Sequence, residues 1–187
     1  MIFKNGQLEI LANTNGGIMI LETNRLFLRP WKTEDVERLY ELAKDPHVGP
    51  PCGWKPHESE SESKEILRDI LINGFTYAIC LKENEQIIGN IALMPYAESR
   101  YAEEKNHAEI GFWMGYSYWG MGYMTEACMC LLDYGFKVLR LEKIWAGHNL
   151  DNIASMRVQE KCGFVFHHED KKNQLKVNCI KRKDKRG

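Results

Sequence analysis

From residue 118 to residue 132 the chain reads "YWGMGYMTEACMCLL". Met124, Ala127, Cys128, Leu131 and Leu132 recur at i, i+3, i+4, i+7 and i+8, the spacing of one buried helix face. Two glycines, Gly120 and Gly122, stand just before that helix. Glycine lets a backbone approach a ligand closely, and the first N–H groups of a helix have no internal partners. The segment therefore predicts a turn that can hold an anion without a cationic side chain, helped by the helix dipole. No lysine follows as in a Walker A loop, and no third glycine completes a dinucleotide fingerprint. A tight strand-to-helix connection would use the same residues, so the turn alone names no ligand.

The flanking segments fix the class of fold. Asn5-Gly6 between apolar stretches suits a small hairpin, and residues 13–17 read as a loop. Leu26 to Leu28 reads as a strand stopped by Pro30. Thr33 is the expected cap of a helix with Glu34 and Asp35 in its first turn and an apolar stripe of Val36, Leu39, Tyr40 and Ala43. Asp45-Pro46 ends it, and a rigid loop from Pro50 to His57 follows. A second helix presents Ile66, Leu67, Ile70 and Leu71 and ends at Asn73-Gly74. Strands are expected at 77–81, 86–93 and 107–114, with a turn at Glu83-Asn84-Glu85. After the long helix come a strand at 143–146, a helix capped by Asp151 or Asn152 and ended by Gly163, and strands at 164–166 and 176–180. The order β-α-α-β-β-β-α-β-α-β-β describes a mixed α/β fold in one domain. We place an N-terminal extension at 1–20, the domain at 21–181 and a basic tail at 182–187.

Composition narrows the functional classes. A chain of 187 residues supports one well-buried domain. No apolar run reaches the roughly 18 residues of a membrane span. Residues 18–21 are too short for a signal-peptide core, so a cytoplasmic location is expected. The six cysteines are scattered without C-x-x-C pairs, which suits reduced thiols and no metal site. From Glu169 onward there are eight Lys or Arg against three acids, leaving seventeen against twenty-three elsewhere. The acidic body leans towards a cationic substrate, and the short basic tail reads as solvated, making nucleic acid an unfavoured partner.

About thirty residues beyond "WGMGYMTEA" stands "NLDNIASMRVQEKCGF". The pair, together with "TNRLFLRPWKTEDVERLYEL" and "AEIGFWM", resembles the GNAT superfamily of acyl-CoA N-acyltransferases over roughly residues 21–166. It is most similar to the branch of the ribosomal-protein alanine acetyltransferases. The resemblance implies a central, mostly antiparallel sheet flanked by helices and splayed at a cofactor cleft. It implies acetyl-CoA as acyl donor, its pyrophosphate on the backbone of about Met121, Gly122, Tyr123 and Met124, with Trp119 and Gly120 beside it. Pantetheine would lie between the strand ending at Met114 and the strand at 143–146, with Asn152 touching the cofactor. Trp119 stands where the superfamily usually has Gln or Arg, and Met124 where it has Gly or Ala; Met124 could narrow the turn.

The family reaction is direct attack of a primary amine on the acetyl thioester, the amine being part of a peptide or of a small molecule. Holding both reactants in one cleft supplies much of the acceleration, and a strand N–H near Met114 can polarise the carbonyl. Glu109 is the candidate base, since it alternates onto the face of His107, Gly111 and Trp113. His107 has a suitable pKa but lies further towards the strand's start. The superfamily's acidic Tyr is matched here by Gln159, while Ser155, one turn from Asn152 on the same helix face, matches the serine that the branch offers to the thiolate. Trp54 and His57, in the proline-rich loop, are candidates for shaping the acceptor pocket, as is Glu109. Trp113, Tyr116, Tyr118 and Trp119 read as core and cleft wall. The rival readings are a catalytically weak acyl-CoA-binding module and a nucleic-acid-associated protein; a homodimer is left open.

Overall fold

The structure, a computed structural model, describes residues 2–4, 7–9, 19–72 and 74–182, the first two stretches by backbone alone. Ten strands among these residues form one sheet: β1 Ile2–Lys4, β2 Gln7–Glu9, β3 Ile20–Glu22, β4 Leu26–Pro30, β5 Thr76–Leu81, β6 Ile87–Pro95, β7 His107–Met114, β8 Lys143–Asn149, β9 Val165–Asp170 and β10 Leu175–Lys181. Their spatial order is β2-β1-β3-β4-β5-β6-β7-β8-β10-β9. The β1–β3 and β7–β8 contacts are parallel and the others antiparallel. β1 and β2 pair on either side of Asn5-Gly6. Residues 13–17 and 183–187, expected as a loop and most of the basic tail, lie outside the described residues, as do Asn5, Gly6 and Asn73.

Helices cover both faces of the centre, which explains why β5 reads as a continuous apolar run. Its Ala78 and Cys80 meet Trp31, Leu39, Leu42 and Ala43 from the side of α1 (Val36–Ala43), with Leu67 and Leu71 beyond them. Its Tyr77, Ile79 and Leu81 face the opposite core, where α3 (Tyr123–Lys137) buries Met124, Ala127, Cys128, Leu131 and Leu132. The i, i+3, i+4 pattern of α3 is therefore a packing face. α4 (Ile153–Lys161) lies beside α3.

Several local expectations change. Residues 33–35 form a short 3₁₀ turn before α1, and Asp35 rather than Thr33 holds it. The Asp35 carboxylate accepts from Lys32 N at 2.8 Å and pairs with Arg29 at 2.7 and 2.8 Å, while Thr33 bonds only Glu34. α1 buries Leu42 in addition to Leu39 and Ala43, and Tyr40 is half-buried. The second helix, α2 (Glu60–Ile66), is capped by Ser59, whose Oγ accepts from Glu62 N. It then widens into a π turn over Leu67–Leu71, with Ile72 N reaching Leu67 O. The extra residue per turn swings Ile70 outward, to 56% exposure, while Leu67 and Leu71 stay inside. β8 and β9 run longer than expected, and Phe164 is core rather than strand.

The feature that positions the site is an incomplete pairing. β7 and β8 pair only at His107–Lys143, Ala108–Ile144 and Glu109–Trp145. Beyond that point β7 stays on β6 as far as Met114–Gly89, and β8 stays on β10 as far as Asn149–Leu175. The sheet thus opens like a V between two strands that each remain fixed on their other side.

Candidate active site

The open edge of β7 can be read from hydrogen-bond alternation. Gly115 N donates to Ile88 O at 2.9 Å, so the odd-numbered residues of β7 face β6 and the even-numbered ones face the splay. Two carbonyls on that edge are already used: Cys52 Sγ lies 4.0 Å from Phe112 O, and Trp119 Nε1 donates to Met114 O at 2.8 Å. The N–H groups of Phe112 and Met114 are left pointing into the opening.

Next to it is the glycine turn. Gly120 and Gly122 adopt φ of 77° and 80°, a left-handed conformation that favours glycine. The first backbone bond of α3 runs from Glu126 N to Gly122 O. Among the described residues, the six N–H groups from Gly120 through Thr125 have no acceptor. A Cβ added at Gly120 would meet nothing within 4 Å, and one at Gly122 only Arg25 Nη2 at 3.5 Å. The turn is a cradle of unpaired donors with open space before it.

Arg25, which sequence reasoning missed, holds this cradle from below. Its Nη1 donates to Met121 O at 3.0 Å, and its guanidinium lies over the Tyr123 ring at 4.4 Å. Glu126, in the first turn of α3, takes Arg25 N, Arg25 Nε and Thr23 Oγ1 at 2.9, 2.7 and 2.6 Å. Burial alone would raise the Glu126 pKa; the bonds from Thr23 and Arg25 outweigh it and hold the group below its ordinary value. The Arg25 charge is thereby neutralised locally. No local signal joins residues 96 apart, so only the fold reveals the contact.

A cleft of about 350 Å³ joins the turn, the end of β7 and α4. Of the sequence-derived cofactor residues, Met114, Trp119, Gly120, Gly122, Tyr123, Met124, Asn152 and Ser155 line it. Met121 contributes its backbone to the turn but does not line the cleft. Met124 turns mostly into the core at 7% exposure. Asn152 caps α4, its Oδ1 accepting from Ser155 N at 3.0 Å, and its Nδ2 donates to Pro51 O at 2.9 Å. Asn149 Nδ2 donates to the same carbonyl, so the proline-rich loop is fastened to the far side of the splay.

Ser155 is oriented by a residue whose role the sequence did not reveal. Gln159 is 1% exposed, its Nε2 donating to Ser155 Oγ at 3.2 Å and lying 3.4 Å from Gly147 O. Its Oε1 accepts from Asn178 Nδ2 at 2.7 Å. Because the serine oxygen accepts from the amide, its own O–H is left to donate.

The acceptor-side candidates divide. Trp54 meets Trp113 edge-on at 5.9 Å and tilts over His57 at 5.4 Å. Trp113 lines the cleft, but Trp54 and His57 do not. His57 is buried, bonded through Nδ1 to Ser63 Oγ at 2.7 Å, and burial lowers its pKa against the raising effect of Glu62. It supports the loop from inside. Glu109 sits at the vertex of the splay, on the opposite sheet face from α3, and does not itself line the cleft. Its Oε2 accepts from Ser99 Oγ at 2.9 Å and Arg100 N at 2.7 Å. Trp119 packs edge-on against Tyr116 at 5.2 Å, and the Tyr118 hydroxyl bonds Gln86, so these aromatics are engaged in the wall.

Residues 25–165 match the family described as an acetyltransferase (GNAT) domain. The chain belongs to the GNAT acetyltransferase family. An uncharacterised N-acetyltransferase of Bacillus licheniformis, p20, is 30% identical over 149 residues, spanning 77% of this chain and 81% of that protein. Among solved structures, a GNAT-family acetyltransferase from Bacillus anthracis superposes with a TM-score of 0.74 at 25% identity, over 87% of this chain and 98% of that one. The fold is shared with the ribosomal-protein-S5-alanine acetyltransferase of Vibrio fischeri (TM-score 0.70, 20% identity, 88% and 97% coverage). It is shared too with the spermidine N-acetyltransferase of Vibrio cholerae, solved with CoA and spermine (TM-score 0.70, 21% identity, 85% and 96% coverage). This GNAT chain is accordingly an acetyl-CoA-dependent acyltransferase. The unpaired donors of its turn and the open edge of β7 fit a phosphate-bearing, amide-containing cofactor. Among the described residues no group of three His, Cys, Asp or Glu could hold a metal, and no helix is long and apolar enough to cross a membrane.

Proposed function

We propose that the chain acetylates a primary amine, on a protein N-terminus or a small molecule, by direct attack with both reactants held in the cleft. The observation that carries this reading is the opening of β7 from β8 beyond Glu109–Trp145, into which Phe112 and Met114 N–H groups point. Acetyl-CoA supplies an activated thioester when bound there. The turn N–H groups hold the diphosphate, and an N–H on the β7 edge polarises the thioester carbonyl. Ser155 O–H, aimed by Gln159, donates to the departing sulfur. Asn152 reaches the pantetheine arm once its amide releases Pro51 O. Trp54 and Trp113 form the wall on the acceptor side, with His57 behind Trp54.

The base has limited work to do. At pH 7 an α-amino group of pKa about 8 costs roughly 1.4 kcal/mol to neutralise, and a lysine amine of about 10.4 roughly 4.6 kcal/mol. Glu109, with Oε2 held by the β6–β7 loop and Oε1 without a partner among the described residues, takes the proton directly or through water. Low-pKa amines are therefore the favoured acceptors.

Thiol release from acetyl-CoA, measured across peptides with free N-termini, polyamines and amino sugars, tests the reading. At least one class should turn over, and Glu109→Gln should lower kcat by roughly a hundredfold or more with little change in cofactor affinity. Tight CoA binding without thiol release for every amine would instead favour a catalytically weak acyl-CoA-binding module.

A further inference from the structure

The cleft lining contains two cationic side chains, Arg157 and Lys161, and no carboxylate. Both belong to α4, four residues apart, so they project from one face about 5–6 Å from each other at Cβ. Both are exposed, and neither has an ion-pair partner among the described residues. The third basic group near the turn, Arg25, is engaged by Glu126 and Met121 O and does not line the cleft. Two unpaired cations on an otherwise uncharged wall mark a place where an anion is expected.

We propose that Arg157 and Lys161 bind the 3′-phosphate of coenzyme A, selecting acyl-CoA over donors that carry pantetheine without that group. The inference rests on the acetyl-CoA reading above. Ser155, on the sulfur side, and Lys161 are six residues apart on α4, which is about 9 Å along the axis. Lysine and arginine side chains extend several ångströms further, towards the rim. The diphosphate already has a partner in the turn, whose donors are neutral N–H groups across the cleft on α3. What remains at the rim is a terminal phosphate carrying about two negative charges at pH 7, with three oxygens for charge-assisted bonds. A guanidinium and an ammonium a turn apart suit it, and Lys161 stands in the last turn of α4, where the helix dipole favours a cation. Acyl carrier proteins and dephospho-CoA offer the same arm and thioester but no 3′-phosphate, so the pair would discriminate by donor class.

Calorimetric titration of the full chain with CoA and with 3′-dephospho-CoA separates the outcomes. The expected result is roughly tenfold or greater preference for CoA at low salt, shrinking as salt is added. In Arg157→Gln/Lys161→Gln that preference should vanish while affinity for dephospho-CoA is kept, which also reports an intact fold. Equal wild-type affinity for the two ligands would overturn the inference, leaving the acetyltransferase reading in place. So would a double variant that weakens both ligands alike, because the cations would then serve the diphosphate. Failure of both ligands to bind the wild-type protein would sink the acetyl-CoA reading and this inference together.

Discussion

Replacing Gln159 by Leu probes the contact between α4 and the strands beneath it. The amide is buried and joins three elements: Ser155 on α4, Gly147 on β8 and Asn178 on β10. Leucine fills a similar volume and leaves the Nδ2 donor of the buried Asn178 without the acceptor it has in Gln159. Loss of the 2.7 Å bond and the orphaned donor together cost about 2–4 kcal/mol, reduced by about 1 kcal/mol of added apolar burial. A net loss of about 2 kcal/mol corresponds to a melting temperature lower by about 4–8 °C in a domain of this size. Removing both partners, as in Gln159→Leu/Asn178→Leu, should recover about half of that or more, since an apolar pair leaves nothing unsatisfied. Activity should not recover with it. Ser155 would still lack the amide that turns its O–H outward, so kcat stays roughly tenfold low in both variants while KM for acetyl-CoA changes little. Thermal melts and steady-state kinetics on the two variants are sufficient. A double variant no more stable than the single one would refute the energetic argument, and full kcat in Gln159→Leu would remove the orienting role.

The glycine turn and its support give two more tests. A Cβ added at Gly122 meets nothing nearer than Arg25 Nη2 at 3.5 Å, so Gly122→Ala acts through the left-handed φ, and Gly122→Val adds branched bulk to the same strain. Alanine should cost about 1–2 kcal/mol of strain, and valine should swing N–H groups away and weaken CoA binding roughly a hundredfold, read by titration; unchanged affinity would refute the assignment of the turn. Glu126, held below its ordinary value of 4.5, contributes stability that is present above that pH and lost as the pH falls through the lowered value. Glu126→Gln should therefore flatten the acid limb of stability against pH, and an unchanged limb would show that the Arg25 pairing contributes nothing.

The expected strand from His107 to Met114 coincides with β7, because alternation of buried and facing residues is local. The same holds for α3, whose apolar spacing is its packing face. Ile70 defeated the same reasoning, since a π turn held by Ile72 N and Leu67 O shifts the face without any change in composition. Met124 was legible both as the first residue of the buried stripe and as a bulky group beside the turn; packing favours the first, with the side chain in the core and the turn left open. Ser155 was legible beside Asn152 from helical spacing, whereas Gln159 looked like a vacancy where the superfamily has a Tyr. In the fold it is a buried amide bonded on two sides.

By itself the sequence determined most of the elements, the anion-holding character of the turn and the family, because propensity, glycine conformation and short motifs are written within a few residues. The tertiary structure alone decided how these become a site. The parting of β7 from β8, the grip of Arg25 on a carbonyl 96 residues away and the fastening of Pro51 by Asn149 and Asn152 are contacts between distant segments. They depend on which strand lies beside which, and no local preference of the chain encodes that.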